Sequence, residues 1–227
     1  MEFRESAFVG TITAGITHEM KNVLAIIKES AGLMEDLLSL TNEQQFAHRE
    51  RFMRVLSNIG HQVARGVDLS SRLNKFAHSS DSTAVQLDLN DLVEDVVFLC
   101  QRPARAKGLS VEAIRFKQPL LVVSDPLRLQ MVLFGSIGFL MQLSGSGAKL
   151  TVAAEEGEDG DFAVRVSVQE GGPTGAEWEL QAGSAAHLED LEQAAGSICG
   201  RIALHDRPGF LTLLLRKAPP GSPVPSE

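Results

Sequence analysis

The sequence contains little cysteine and no excess of basic residues. Its 227 residues include two cysteines, Cys100 and Cys199, whose separation fits neither a disulfide framework nor a cysteine-based metal site. It has 21 Lys and Arg against 29 Asp and Glu, which gives a net charge of −8. Because nucleic acids favour basic clusters, we do not expect a nucleic acid partner.

Long apolar runs are also missing. No stretch of 18 consecutive apolar residues occurs, and the first residues lack the charged start, apolar centre and cleavage site of a signal peptide. The composition, 44% hydrophobic and 22% charged, is that of an ordinary globular protein. We therefore expect a cytoplasmic protein that contacts no membrane. The motif around His18 begins so early that we expect no sensor domain or membrane anchor ahead of it.

Apolar spacing predicts two long helices, at residues 3–40 and 43–78. At about 100° per residue, one side of the first helix carries an apolar stripe. Its members are Val9, Ile12, Ile16, Met20, Val23, Ile27, Met34 and Leu38. The second helix has a similar stripe of Phe52, Leu56, Ile59, Val63 and Val67. The short connection predicts an antiparallel hairpin, and stripes of this length predict a homodimer in which two hairpins form a four-helix bundle.

The pattern changes after a polar, turn-rich linker at residues 78–86. Alternating strands and amphipathic helices follow, which predicts an α/β sandwich with helices on one face of a mixed sheet. The predicted fold class is therefore α+β. We expect a helical dimerisation domain at residues 1–80, an α/β domain at 85–217, and a disordered tail rich in Pro, Gly and Ser at 218–227.

"GITHEMKNVL" in the first helix is close to the zinc motif HExxH, but Asn22 stands where the second histidine would be. Without a second ligand at the right spacing we expect no metal at His18. On a helical wheel His18 and Asn22 point away from the apolar stripe, toward solvent. Small and polar residues around them would let another protein approach, and the predicted docking residues are Thr11, Ala14, Ala25 and Glu29.

The residue types around His18 suit a nucleophile. His18 and Asn22 are one helical turn apart, and Glu19 is close enough to reach one imidazole nitrogen. A carboxylate that accepts a proton from one nitrogen orients the ring and makes the other nitrogen a better nucleophile. The alternative is an ordinary surface histidine, which is how we interpret the other five: His48, His61, His78, His187 and His205.

The segment "THEMKNVLAIIKESAGLMEDLL" resembles the phosphoacceptor helix of bacterial sensor histidine kinases, whose motif runs H-E-x-[KR]-N-P-L. The matching residues are His18, Glu19, Lys21, Asn22 and Leu24, while Val23 replaces the proline. The resemblance implies that His18 is the phosphoacceptor and Glu19 its acid/base partner. It implies that Asn22 places the water or the phosphoryl group in the reverse reaction.

The α/β part is similar to the ATPase domain of the same kinases. "DPLRLQMVLFGSIGFLMQL" is similar to their N-box helix, and the matching residues are Asp125, Arg128, Leu129, Val132 and Leu133. The family has two asparagines in this helix, and the second holds the magnesium that bridges the nucleotide phosphates. Here Gly135 and Phe139 take their places. A phenylalanine offers no oxygen to a hard cation.

The other nucleotide-binding motifs of that family are altered as well. Glu170 stands where the family has the aspartate that reads adenine, and Thr174 replaces a glycine. Ala185 and His187 put side chains where the backbone must approach phosphates closely. Few residues are left for a nucleotide lid. We therefore expect no cofactor of the protein's own, and we expect the Mg²⁺ for any transfer to come from the partner.

These features predict a dimeric histidine phosphotransferase without autokinase activity. It would pass a phosphoryl group between the aspartates of response-regulator receiver domains through His18. Two alternatives stay open: a phosphatase of a phosphorylated response regulator, favoured by Asn22, and a non-catalytic dimeric adaptor. A working kinase with altered motifs is a further possibility, which nucleotide binding would decide.

Overall fold

The computed structural model describes residues 2–39, 49–80, 84–157, 161–175, 178, 186–204 and 208–216. The chain divides into two compact units, Met1–His78 and Ser79–Glu227. The predicted tail, residues 218–227, lies outside the described residues. The first unit is a helical hairpin and the second is an α/β unit.

The hairpin consists of helix α1, Glu2–Ser39, and helix α2, Arg49–Ala77. The helices are antiparallel, because Phe8 near the start of α1 packs edge-on against Phe76 near the end of α2, with ring centroids 5.6 Å apart. The buried apolar residues of the hairpin are Phe8, Ile12, Ile16, Val23, Leu37, Leu69 and Phe76. They include three members of the predicted α1 stripe.

Between residues 58 and 66 of α2, the interface between the two helices contains polar side chains and a glycine. Gly66 lets Val23 come close, since a Cβ at residue 66 would lie 3.3 Å from Cγ1 of Val23. The buried Oε1 of Gln62 has no hydrogen-bond partner. Asn58 donates a long hydrogen bond of 3.4 Å to Ser30.

Large apolar side chains remain exposed on the hairpin. They are Leu24, Leu33, Met53, Leu56, Val63 and Val67. Three of them, Leu56, Val63 and Val67, belong to the predicted α2 stripe. A single hairpin therefore leaves much of that stripe uncovered, and α2 buries a neighbouring face against α1 instead.

The α/β unit begins with a 3₁₀ turn, His78–Ser80, and alternates strands with helices. Its strands are β1 Val85–Asp88, β2 Ser110–Ile114, β3 Leu121–Ser124, β4 Lys149–Glu156, β5 Phe162–Glu170, β6 Gly200–Leu204 and β7 Phe210–Leu215. Its helices are α3 Leu89–Ala106, α4 Pro126–Leu143 and α5 Ala186–Gly196. The predicted α+β fold class is confirmed: a helical region precedes an α/β sheet unit.

The main sheet has five strands in the order β2-β4-β5-β7-β6, and β1 pairs with β3 in a separate ribbon. The β2–β4 pair is parallel and the other pairs are antiparallel, so the sheet is mixed as predicted. Helices α3, α4 and α5 complete one continuous apolar core. Its largest fully buried side chains are Leu89, Leu120, Leu129, Leu133, Ile137, Leu140, Leu150, Leu211 and Leu213.

Local sequence signals explain where α3 and α4 begin. Asp88 is the N-cap of α3 and accepts a hydrogen bond of 3.0 Å from the Asn90 N–H. Asp125 caps α4 in the same way, accepting 3.0 Å from Arg128 N–H, and Pro126 occupies the first turn. A side-chain acceptor followed by proline satisfies or removes the free N–H groups of a helix start.

Helix α4 is the most apolar helix of the chain. By length and composition, Pro126–Leu143 could cross a membrane, and it is the one helix among the described residues that meets this test. However, 56% of it is buried within the protein, in the core of the α/β unit. The high hydropathy of α4 is therefore explained by its place in the core of the α/β unit.

Candidate functional site

His18 lies near the middle of α1, with its side chain exposed. The helix continues without interruption through Val23, which occupies the proline position of the resembling motif. The four predicted docking residues are also exposed: Thr11, Ala14, Ala25 and Glu29. Their exposure leaves this face of α1 open, while their docking role stays a prediction.

Asn22 contacts the His18 ring, as their spacing predicts. The amide nitrogen of Asn22 lies 3.3 Å from Nδ1 of His18. If the amide nitrogen faces the ring, the amide donates to Nδ1 and the ring proton is on Nε2. A half turn of the amide would place its oxygen against Nδ1. The proton would then move to Nδ1, and Nε2 would have a free lone pair.

Glu19 is engaged elsewhere than expected. Its Oε2 accepts a hydrogen bond of 2.5 Å from Nη2 of Arg65, a residue of α2. The Glu19 side chain is 18% exposed and that of Arg65 is 41% exposed. In this conformation the oppositely charged guanidinium binds the carboxylate. The acid/base function of Glu19 remains a prediction.

The arrangement suits a nucleophile that another protein supplies with its electrophile. An exposed imidazole with one nitrogen in contact with an amide leaves the other nitrogen accessible from solvent. No group of three or more His, Cys, Asp or Glu that could hold a metal ion occurs among the described residues. The chemistry of the site is therefore that of His18, Asn22 and the Glu19–Arg65 pair.

The two predicted nucleotide positions in α4, Gly135 and Phe139, are surrounded by apolar side chains. A Cβ added at Gly135 would lie 2.7 Å from Cδ2 of Leu191, a buried residue of α5. Phe139 is buried, and its ring centroid lies 6.3 Å from that of Trp178. Where the resembling family has two asparagines, this chain places apolar contacts between α4, α5 and Trp178.

The remaining predicted nucleotide positions follow strand β5. Glu170 ends β5 and is exposed, and Thr174 is exposed four residues later. The Thr174 carbonyl accepts a hydrogen bond of 2.9 Å from the Trp178 N–H, which orders the backbone that brings Trp178 to Phe139. Ala185 and the His187 side chain lie outside the described residues.

Sequence reasoning missed Arg65, Trp178 and Leu191. Nothing in the spacing of one helix tells which residue of another helix will face it, so Arg65 carried no signal. Trp178 is the only tryptophan of the chain, and a large apolar residue just after altered nucleotide motifs could have indicated apolar filling. Leu191 could have been found only from the packing of α5 on α4.

The two cysteines differ in their surroundings. Cys100 in α3 is buried and Cys199 is exposed. Burial raises the pKa of the Cys100 thiol far above its usual range, because the thiolate would lose its hydration. Cys100 is therefore a neutral core residue, as its position in the apolar core indicates.

No family model matches the chain. Among curated proteins it is 28% identical over 176 residues to the sensor histidine kinase ZraS of Klebsiella oxytoca. That match covers 77% of this chain and 36% of ZraS, so the chain spans about a third of the relative's length.

The chain also resembles solved structures of histidine kinases. The nucleotide-free catalytic domain of histidine kinase ThkA superimposes with a TM-score of 0.50, at 17% identity over 61% of this chain and 99% of that one. The structure of ThkA in complex with the response regulator TrrA gives a TM-score of 0.46 at 17% identity, over 95% and 64% of the two chains. The α/β unit thus has the fold of histidine kinase catalytic domains. The chain is thus similar to a sensor histidine kinase in sequence and to kinase catalytic domains in the fold of its α/β unit.

Proposed function

We propose that the protein is a dimeric histidine phosphotransferase of a two-component phosphorelay. It accepts a phosphoryl group from the aspartate of one receiver domain and returns it to the aspartate of another. The observation that carries the proposal is the exposed His18 imidazole, with the Asn22 amide at Nδ1 and the second nitrogen open to solvent.

The transfer step exchanges one phosphorus bond for another. The Nε2 lone pair attacks the phosphorus of an aspartyl phosphate, the N–P bond forms as the P–O bond breaks, and the aspartate leaves as a carboxylate. The proton on Nδ1 then passes to an acceptor, for which Glu19 is the nearest candidate in sequence. Such transfer depends on positioning and charge stabilisation, and the acidic pocket of the receiver supplies the Mg²⁺. The return step reverses these events.

The phosphoryl group does not come from ATP bound by this chain. The residues at the former nucleotide positions do not fit a magnesium–nucleotide complex, because Phe139 is buried against Trp178 and offers no oxygen. The space beside Gly135 is taken by Leu191. Isothermal titration calorimetry with Mg-ATP tests this part: the proposal predicts no binding heat, whereas saturable binding would favour a working kinase.

The exposed apolar face of α2 supports a homodimer. Met53, Leu56, Gly60, Val63 and Val67 are spaced alternately by three and four residues, which is the spacing of a helix seam. A different seam of α2 faces α1 within the hairpin. A second copy of the hairpin would cover the exposed seam and complete a four-helix bundle.

Receiver domains are the partner class that the site fits. The open face of α1 around His18 carries small residues, Ala14 and Ala25, which allow close approach. ThkA, whose catalytic domain shares the fold of the α/β unit, has been solved with a response regulator. We place the protein in the cytoplasm, where such regulators act.

The test is transfer from a phosphorylated receiver to the purified protein. We expect acid-labile label on the wild-type chain and none on His18→Ala, with Thr17→Ala as a matched control at the neighbouring exposed position. Absence of label while the donor is active, or equal label on His18→Ala, would contradict the proposal.

A second candidate is a phosphatase of the receiver. The contact between Asn22 and His18 favours it, because an amide beside the ring could orient a water toward the aspartyl phosphate. The phosphatase predicts loss of receiver phosphate without label on His18, and Asn22→Ala would slow that loss. A dimeric adaptor, the third candidate, predicts that His18→Gln leaves signalling unchanged while disruption of the hairpin abolishes it.

A further inference from the structure

The Glu19–Arg65 ion pair joins the two helices of the hairpin next to His18. Oε2 of Glu19 and Nη2 of Arg65 are 2.5 Å apart, and the carboxylate is largely shielded at 18% exposure. A charged hydrogen bond of this kind holds both side chains in one rotamer. Glu19 is therefore turned toward α2, although it follows His18 directly in the chain.

The hydrogen bond to Arg65 is the described contact of the Glu19 carboxylate in this part of the seam. Gly66, the residue after Arg65, has no side chain, and the Oε1 of Gln62 is buried without a partner. Ile16, Val23 and Leu69 are buried nearby and offer a carboxylate no hydrogen bond. The position of the Glu19 carboxylate consequently depends on the Arg65 guanidinium.

We propose that Arg65 is a positioning residue for the His18 site, which holds the Glu19 carboxylate away from the imidazole until a docked partner draws Arg65 off. The inference deepens the proposed function and rests on it for its effect on phosphotransfer. With Arg65 engaged, Asn22 is the group at Nδ1, and an amide that donates there leaves the ring proton on Nε2. When Arg65 is released, Glu19 accepts a hydrogen bond from Nδ1–H, and Nε2 gains the free lone pair that attack requires.

The exposure of the pair makes release by a partner feasible. Arg65 is 41% exposed, so its guanidinium is accessible to an anionic group on a docked protein. A phosphorylated receiver presents such groups, because aspartyl phosphate and the acidic residues around it are anionic. Docking of the donor would then both deliver the phosphoryl group and activate the acceptor.

The direct test measures the tautomer of the His18 ring by long-range ¹H–¹⁵N NMR, with no receiver present. In the wild type we expect the Nε2–H form to dominate. In Arg65→Gln we expect the Nδ1–H fraction to rise severalfold, and in Arg65→Lys, which keeps the positive charge, to stay near the wild type. Raising the salt concentration should shift the wild type toward Arg65→Gln, because salt screens exposed ion pairs.

A double-mutant cycle separates positioning from a structural effect. If Arg65 acts through Glu19, Arg65→Gln should change neither the tautomer nor the transfer rate in a Glu19→Gln background. In the native background it should raise the initial rate of label transfer to His18 about tenfold, since the carboxylate becomes available as a base. Arg72→Gln is the matched control: Arg72 is seven residues further along α2 and pairs with Asp68 of the same helix at 3.1 Å.

Two outcomes would overturn the inference. One is an unchanged tautomer ratio in both Arg65→Gln and high salt, with circular dichroism showing an intact hairpin. The other is an equal effect of Arg65→Gln with and without the Glu19 carboxylate. If no variant accepts label but the tautomer ratio responds as expected, the proposed function fails while the positioning by Arg65 stands.

Discussion

The hairpin and the α/β unit differ in how many large apolar side chains they expose. The hairpin exposes six large apolar side chains among its described residues, whereas the described part of the α/β unit exposes three: Ile114, Leu121 and Val123. The α/β unit encloses a continuous core, and the two predicted nucleotide positions in α4 are part of its apolar packing. The hairpin keeps polar residues in its seam and an imidazole on its surface.

The proposed function uses the two units differently. The groups to which it assigns phosphotransfer and partner contact lie on the hairpin: His18, Asn22 and the Glu19–Arg65 pair. The α/β unit has the fold of a kinase catalytic domain, yet it has packed residues where such a domain needs oxygen ligands and open space. The comparison can be tested by making the same change in both units.

Removing an aliphatic side chain should have its largest effect in the α/β core. Ile137 in α4 is fully buried, so Ile137→Ala should lower the free energy of unfolding by about 2–5 kcal/mol through lost burial and a cavity. Leu24→Ala, at a side chain that is 59% exposed, should change it by at most about 0.5 kcal/mol. Urea unfolding followed by circular dichroism measures both, and equal losses would remove the contrast between the units.

Restoring an asparagine should disturb the α/β unit without creating a nucleotide site. Gly135→Asn must displace Leu191, which we expect to cost about 1–3 kcal/mol of unfolding free energy. Gly138→Asn is the control, because a Cβ there meets no atom within 4 Å. Thermal unfolding with and without Mg-ATP checks both claims. Stabilisation of Gly135→Asn by Mg-ATP would contradict the claim that these residues do not fit a magnesium–nucleotide complex.

A charge on the exposed face of α2 should weaken self-association. Val67 is 65% exposed in the single chain, so Val67→Glu should leave the hairpin folded but raise the dimer dissociation constant at least about tenfold, since a buried charge would lack a partner. Sedimentation equilibrium measures the constant. His61→Glu, at an exposed position of α2 outside this seam, gives the comparison for added charge alone. An unchanged constant in Val67→Glu would place the dimer contact elsewhere.

The buried thiol of Cys100 should add a pH-dependent contribution to the stability of the α/β unit. Burial raises the pKa of Cys100, so the folded chain keeps a proton that the unfolded chain loses above about pH 8.5. The unfolded state then binds fewer protons, and unfolding free energy falls as pH rises, by up to about 1.4 kcal/mol per pH unit.

Comparing Cys100→Ala with the wild type between pH 8 and 10 isolates this slope. The variant should lose less stability on raising the pH than the wild type, although it starts from a lower value. Cys199→Ala, at an exposed thiol, is the matched cysteine replacement outside the core. Parallel curves for Cys100→Ala and the wild type would mean that the Cys100 thiolate is tolerated in the core.

Most helices and strands of the fold could be predicted from local signals in the sequence. Asp88 and Asp125 with Pro126 gave the starts of two helices, and alternation gave the strands of the mixed sheet. The helical wheel also placed His18 and Asn22 together, since both lie on one helix. The helical wheel could not predict the partner of Glu19, because that partner, Arg65, belongs to α2. Whether the carboxylate meets an imidazole or a guanidinium depends on how the two helices pack.

The most direct test measures phosphoryl transfer to His18 from two different donors, with the same protein preparation. One sample receives Mg-ATP labelled at the γ-phosphate, and the other receives a receiver domain labelled at its aspartate. The account predicts label on His18 from the receiver only, and passage of that label to a second receiver when one is added. Label from ATP, or none from an active receiver, would contradict the assignment of transfer chemistry to the hairpin and of a packed, nucleotide-free core to the α/β unit.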